Sequence, residues 1–226
     1  MKAQEFQSAP APIRPGRLPA VLLFCFIVIF AVTAIKPFNR QDWFLENIPV
    51  FAALAVLVGT YQWFQFSNVS YVLLAIFLTL HAVGAHYTYS EVPIGYWVRD
   101  WLHLGRNHYD RVVHFTFGLL LTYPVRELLV SKAGLRGIWS FVLPAHVIFG
   151  WSGLYEIVEA IVAQLTSPEL GAAYNGTQGD IWDAQKDMAL AALGAALCMA
   201  LTFALARNRD PACAADKAQG VVSLKG

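Results

Sequence analysis

The sequence predicts an all-α polytopic membrane protein, a bundle of six transmembrane helices. Two compositional facts and one pattern carry that expectation. Hydrophobic residues make up 57% of the 226 positions, where soluble domains hold roughly 45–50% even with glycine counted. Charged residues make up 14%, against about 25% in soluble domains. The apolar residues are gathered into long continuous runs, and mean hydropathy is +0.49. A soluble chain of this size has no interior large enough to hide so much apolar surface. The same numbers argue against a disordered chain, a disulfide-stapled secreted scaffold and a basic nucleic-acid binder, since the formal net charge is only +1. Cys25 and Cys198 lie in apolar runs and Cys213 in a polar stretch, with no metal-ligand spacing among them.

A spanning helix needs roughly 20 apolar residues to cross about 30 Å of hydrocarbon. Leu18 to Ile35 carries no charge and is longer than the apolar core of a cleaved leader, so it reads as an uncleaved first span. Ile48 to Phe64, Val69 to His86 and Asp110 to Val130 follow, then Ile138 to Leu165, and last Met188 to Ala206, again free of charge. Within lipid, helices satisfy their own backbone, which is why these runs are read as helical. Residues 1–17 read as a disordered arm, 18–206 as the transmembrane domain and 207–226 as a disordered tail. The segments between spans three and four, and between five and six, read as long polar loops. Tyr96, Trp97 and Trp101 are expected at a membrane interface. With six spans the termini share one side. Lys2, Arg14, Arg17, Arg126, Lys132, Arg136, Arg207 and Arg209 then face that side, which the positive-inside rule assigns to the cytoplasm of a bacterial inner membrane.

Helix parity then makes a specific statement. The ends of odd spans and the starts of even spans meet at one face. His81 and His86 close the third span, and Asp110 and His114 open the fourth. Glu156 and Glu159 lie late in the fifth, and Asp183 and Asp187 lead into the sixth. Spacings of three and four put each of the last three pairs on one helical face. Ionisable groups at membrane depth cost several kcal/mol and by default mark function. Three chemistries fit: a divalent metal (Zn, Mn or Fe) held by His, Asp and Glu, a proton or ion path, or a salt-bridge network with Arg99, Arg106, Arg111 and Lys186. In the metal reading His81, His86, Asp110, His114, Asp183 and Asp187 are ligands, and Glu156 and Glu159 the catalytic carboxylates acting on an amphiphilic or lipid-linked substrate. His146 reads as a packing residue bonded across the bundle, and Gly150, Gly153 and Gly194 as close-approach positions. No nucleophile elbow, P-loop or HExxH occurs.

Several of these residues sit in a distinctive series of strings. They are Asn107-His108-Tyr109-Asp110-Arg111 with His114-Phe115, Tyr155-Glu156 with Glu159, and the run from Gly176 through Asp187-Met188 (GTQGDIWDAQKDM). Together they resemble the YjdF-like family of bacterial inner-membrane proteins over about Ile35 to Ala206. That resemblance implies a location more than an activity. A looser similarity is to VanZ-like membrane proteins, which carry Asp-Lys before His-Phe, then Glu-x-x-Gln, then Asp-x-x-x-Asn. Asp110, Arg111, His114 and Phe115 match with Arg for Lys. Glu159 and Asp187 stand where that pattern has amides, which makes the centre more acidic and favours a cation. The functional expectation is an inner-membrane protein with an acidic, histidine-bearing pocket at the outer face. The alternatives are a small proton-coupled transporter and a non-catalytic scaffold.

Overall fold

A computed structural model describes residues 16–209. The expected terminal arm and tail, with Lys2, Arg14 and Cys213, lie almost wholly outside the described residues. Those residues form eight helices: α1 (Arg17–Thr33), α2 (Arg40–Thr60), α3 (Asn68–His86), α4 (Pro93–Leu102), α5 (Tyr109–Ala133), α6 (Trp139–Leu165), α7 (Pro168–Asn175) and α8 (Asp183–Arg209). Four of them, α2, α3, α6 and α8, are long and apolar enough to cross a membrane, and α1 is a shorter apolar helix of 17 residues. The helix α5 has 25 residues but carries Asp110, Arg111, Arg126, Glu127 and Lys132, which dilute its apolar character.

The helix boundaries follow local chemistry. The helix α2 begins at Arg40, eight residues before the expected span, because Asn39 caps it by accepting from the Gln41 and Asp42 backbone N–H groups. Ser67 caps α3 the same way through Ser70 N–H, and Glu127 of α5 accepts from Ser67 N–H at 2.6 Å and from the Ser67 and Ser70 hydroxyls. That explains a buried-side glutamate near the charged end of α5: it finishes the cap of its neighbour. Gly134 ends α5 in the left-handed conformation (φ +66°) that favours glycine.

Two expected loops hold helices instead. Within α4, Ile94, Trp97, Val98, Trp101 and Leu102 recur at helical spacing and all face outward. That apolar stripe on a ten-residue helix suits a helix lying in a membrane interface, the setting expected for Trp97 and Trp101. The helix α7 starts at Ser167-Pro168 and stops at Gly176, a capped start and a left-handed stop.

The outside of the bundle is apolar and much of its inside is polar. Phe24, Val32, Trp151, Ile157, Ile161 and Leu201 are exposed, whereas Asp42, Glu46, Asn47, Ser70, Thr122, Ser152 and Asp187 are buried. Water would reverse that arrangement; a bilayer favours it. The helix α5 is central and packs on α3, α6 and α8. It meets α8 most closely, through two glycines. A Cβ at Gly118 would lie 1.9 Å from the Ala191 carbonyl oxygen, and one at Gly194 would lie 2.2 Å from that of Phe115. The expected packing role thus holds for Gly194. Gly153 faces the tip of Met188, while Gly150 has nothing within 4 Å. His146 is exposed and bonds the Val142 carbonyl of its own helix rather than a neighbour.

Candidate functional site

The first turns of α5 and α8 and the last third of α6 converge beside the α5–α8 glycine contact. Asp110, His114 and Gly118 stand at successive turns of α5, as Asp187, Ala191 and Ala195 do on α8. The glycine contact therefore draws His114 and Asp110 toward Asp187. One ligand atom from each of Asp110, His114 and Asp187 lies within 4.8 Å of the other two. The His114 Nε2 is 3.6 Å from Asp110 Oδ1 and 3.5 Å from Glu156 Oε1. His114 and Asp187 are buried at 7% and 2% exposure. Asp187 Oδ1 and Glu156 Oε1 accept no hydrogen bond. Glu159, one turn from Glu156, lies within electrostatic reach of it and of Asp110.

Not every expected member joins this centre. Asp183 is taken by arginines: Arg106 forks onto both of its oxygens, and Arg111 reaches Oδ1 at 3.0 Å. Arg111 also holds Asp180, which Lys186 contacts at 2.6 Å. For Asp180 and Asp183 the ion-pair chemistry is thus the one the geometry displays. His81 has both ring nitrogens engaged. Its Nε2 faces the Glu46 carbonyl at 3.0 Å and must donate, so Nδ1 accepts from the Tyr89 hydroxyl at 2.5 Å. His86 donates from Nδ1 to the Thr33 carbonyl at 2.7 Å. Both histidines tie α3 to its neighbours.

The most distinctive strings clamp each other above the centre. Gln178 accepts from Asn107 N–H at 3.0 Å and donates to the Asn107 carbonyl at 2.9 Å, as a backbone partner would. The Asn107 side chain donates to the Ser90 and Val92 carbonyls and accepts from Tyr109 N–H. It passes so close to Gly95 that a Cβ there would lie 1.8 Å from its Oδ1. Arg106, buried at 8% exposure, also donates to the Thr177 and Gly176 carbonyls. Outside the helices, hydrogen bonds from Lys186 and Trp182 N–H hold the Asp180 carboxyl below the usual carboxylate range. Desolvation lowers the His108 imidazole, helped by Arg111 and Arg106.

A polar pair on α2 falls outside the sequence expectation. Asp42 and Glu46 are buried at 0% and 2% exposure. Glu46 Oε2 accepts from the Tyr155 hydroxyl at 2.7 Å, which links α2 to the α6 turn carrying Glu156. Starting the span at Ile48 hid both. The Asn39-x-x-Asp42 spacing was the signal that a helix begins earlier.

Fold and site together define a multi-helix membrane protein with an acidic, histidine-bearing centre buried at one end of its bundle. The family described as "Predicted membrane protein (DUF2238)" matches residues 18–208, and the chain belongs to it. It is 35% identical over 170 residues to the Inner membrane protein YjdF of Escherichia coli (strain K12), covering 74% of this chain and 80% of that protein. No solved structure matches the chain. Neither comparison adds to the VanZ-like similarity.

Proposed function

We propose that the chain is a six-span inner-membrane protein with both termini in the cytoplasm, and that its centre binds one divalent transition metal. Asp110, His114, Asp187 and Glu156 supply the ligands. The observation that carries this reading is the spacing around His114. At 3.5–3.6 Å its carboxylate neighbours are too far for good hydrogen bonds. They are close to the edge of a coordination tetrahedron, about 3.4 Å for bonds near 2.1 Å. The buried, unpartnered Asp187 and Glu156 oxygens point the same way, since an unpaired buried carboxylate is costly. One imidazole with three carboxylates suits Zn²⁺, Mn²⁺ or Fe²⁺.

A metal there would activate water, and Glu159, one turn from Glu156, would be the base that takes a proton from it. The family and the YjdF relative support the inner membrane, and the apolar exterior suits an amphiphilic, lipid-linked substrate that enters from the bilayer. The scaffold reading is favoured only for Asp180 and Asp183, whose arginine partners satisfy them. The test is metal content of detergent-purified, monodisperse protein beside Asp187→Asn and His114→Ala. About one equivalent in the wild type, lost in folded variants, is expected. A wild type that neither carries nor accepts Zn²⁺, Mn²⁺ or Fe²⁺ would sink the proposal.

A further inference from the structure

The α2 pair has a feature that the His114 centre does not explain. Asp42 stands in the first turn of α2, where an acidic side chain ordinarily reaches back to the N-cap backbone or faces the helix N-terminus from water. Here Asn39 performs its half of the cap, accepting from Gln41 and Asp42 N–H. The return bond is missing. Asp42 is wholly buried and neither of its carboxylate oxygens has a partner. Glu46 follows one turn later on the same face. It is also buried, and only its Oε2 is engaged, by Tyr155.

No basic side chain neutralises the pair among the described residues. Arg40, the nearest in sequence, donates to the Ala34 carbonyl at 2.8 Å and lies over the Trp43 ring at 5.3 Å. The other titratable groups facing the pair are Tyr155 on α6, Tyr174 on α7 and, from α3, His81, whose Nε2 donates to the Glu46 carbonyl and whose Nδ1 is taken by Tyr89, with Glu159 and Asp110 farther off. Tyrosines donate hydrogen bonds but bring no charge. Two carboxylates without a counter-ion, sealed from water, are a donor set awaiting a cation.

We infer that Asp42 and Glu46 form a second cation site, separate from the His114 centre, that takes a hard, oxygen-preferring divalent ion such as Ca²⁺ or Mg²⁺. The donors are both Asp42 oxygens, Glu46 Oε1 and the Tyr155–Glu46 couple. There is no imidazole or thiolate within the set, which separates it chemically from the first centre. The inference stands whether or not the His114 centre holds a metal.

The test uses full-length, chelator-stripped protein in detergent. Thermal unfolding is followed with millimolar CaCl₂ or MgCl₂ against a matched organic-cation salt. Wild type and Asp187→Asn should both gain stability, by about 5 °C at a hundredfold excess over Kd. Asp42→Asn should lose the gain, with Glu46→Gln as the second variant should the first fail to fold. Equilibrium binding of ⁴⁵Ca²⁺ should give the same stoichiometry for wild type and Asp187→Asn. A gain that disappears in Asp187→Asn would place the ion at the His114 centre and overturn the inference. So would a gain that survives in Asp42→Asn, or no response of the wild type to either ion, which would mean that protons neutralise the pair.

Discussion

Replacing Gly118 by alanine should damage the candidate site from one helical turn away. The new methyl group would lie 1.9 Å from the Ala191 carbonyl oxygen and 2.7 Å from Ala195 N. Ordinary contact starts near 3.4 Å, so α5 and α8 must part by about 1.5 Å (3.4 − 1.9). These are backbone atoms, and no rotamer change relieves them. His114 is one turn from Gly118 and Asp187 one turn from Ala191, about 6 Å along each axis. Most of the displacement therefore reaches the ligands. Asp187, now with a ligand atom within 4.8 Å of those of Asp110 and His114, would be carried off by up to about 1.5 Å, out of reach of a metal held by the two α5 residues through bonds near 2.1 Å. Overpacking costs about 1–3 kcal/mol, against at most about 1 kcal/mol regained in helix propensity. Gly118→Ala should thus melt several degrees lower in detergent and bind metal at least about tenfold more weakly. Gly150→Ala is the matched control, because nothing lies within 4 Å of its added Cβ. If Gly118→Ala melted and bound metal like the wild type, the claim that this glycine contact sets the site would be wrong.

Three further outcomes follow from the geometry. Arg106→Met takes the buried donor from the Gly176 and Thr177 carbonyls and leaves Asp183 with Arg111 alone, and should cost about 1–3 kcal/mol. Thermal unfolding reads the loss, and hydrogen exchange should rise first across residues 176–183. Glu127→Ala removes the acceptor for Ser67 and Ser70 at the start of α3 and should cost about 1–2 kcal/mol with no effect on metal content. Asp180 titrates below an unfolded aspartate, so its contribution is complete above about pH 5 and is lost as pH falls through its folded value. His108 acts in the same direction at higher pH. Its folded value lies below the ordinary 6.5, so stability declines as pH drops beneath that point. The gap in melting temperature between wild type and Asp180→Asn should therefore close between about pH 5 and the acid limit; a gap independent of pH contradicts the assignment.

Much of the helical layout is legible in the residues alone. Uninterrupted apolar runs place α1, α3, α6 and α8 to within a few residues. The α2 start is obscured because Arg40, Asp42 and Glu46 look like loop when polarity is used as the criterion, although Asn39 signals a cap. The helix α4 is hidden for a related reason. Its polar residues suggest a loop until the 94, 97, 98, 101, 102 spacing is counted. Parity of the spans brings Asp110, His114, Glu156 and Asp187 to one end, and there they meet. Spacing alone does not reveal that Arg106 and Arg111 draw off Asp183, since that depends on how two loops cross in space. It is equally silent on Tyr89 and the Glu46 carbonyl, which occupy both nitrogens of His81.

The pairing of α5 with α8 also bears on how the protein is made. Asp110, His114, Arg106 and Arg111 leave the ribosome some seventy residues before Asp180, Asp183 and Asp187 exist. During that interval Arg111, Asp110 and His114 of α5, and Arg106 just before it, lack those partners, a costly state for any of these groups that meets lipid. Arrival of Asp180 and Asp183 neutralises the two arginines, and the helix that follows them seats the glycines. A chain truncated before Asp180 should therefore keep most of its apolar helices yet leave the two arginines unpaired, and be cleared by proteolysis rather than accumulate.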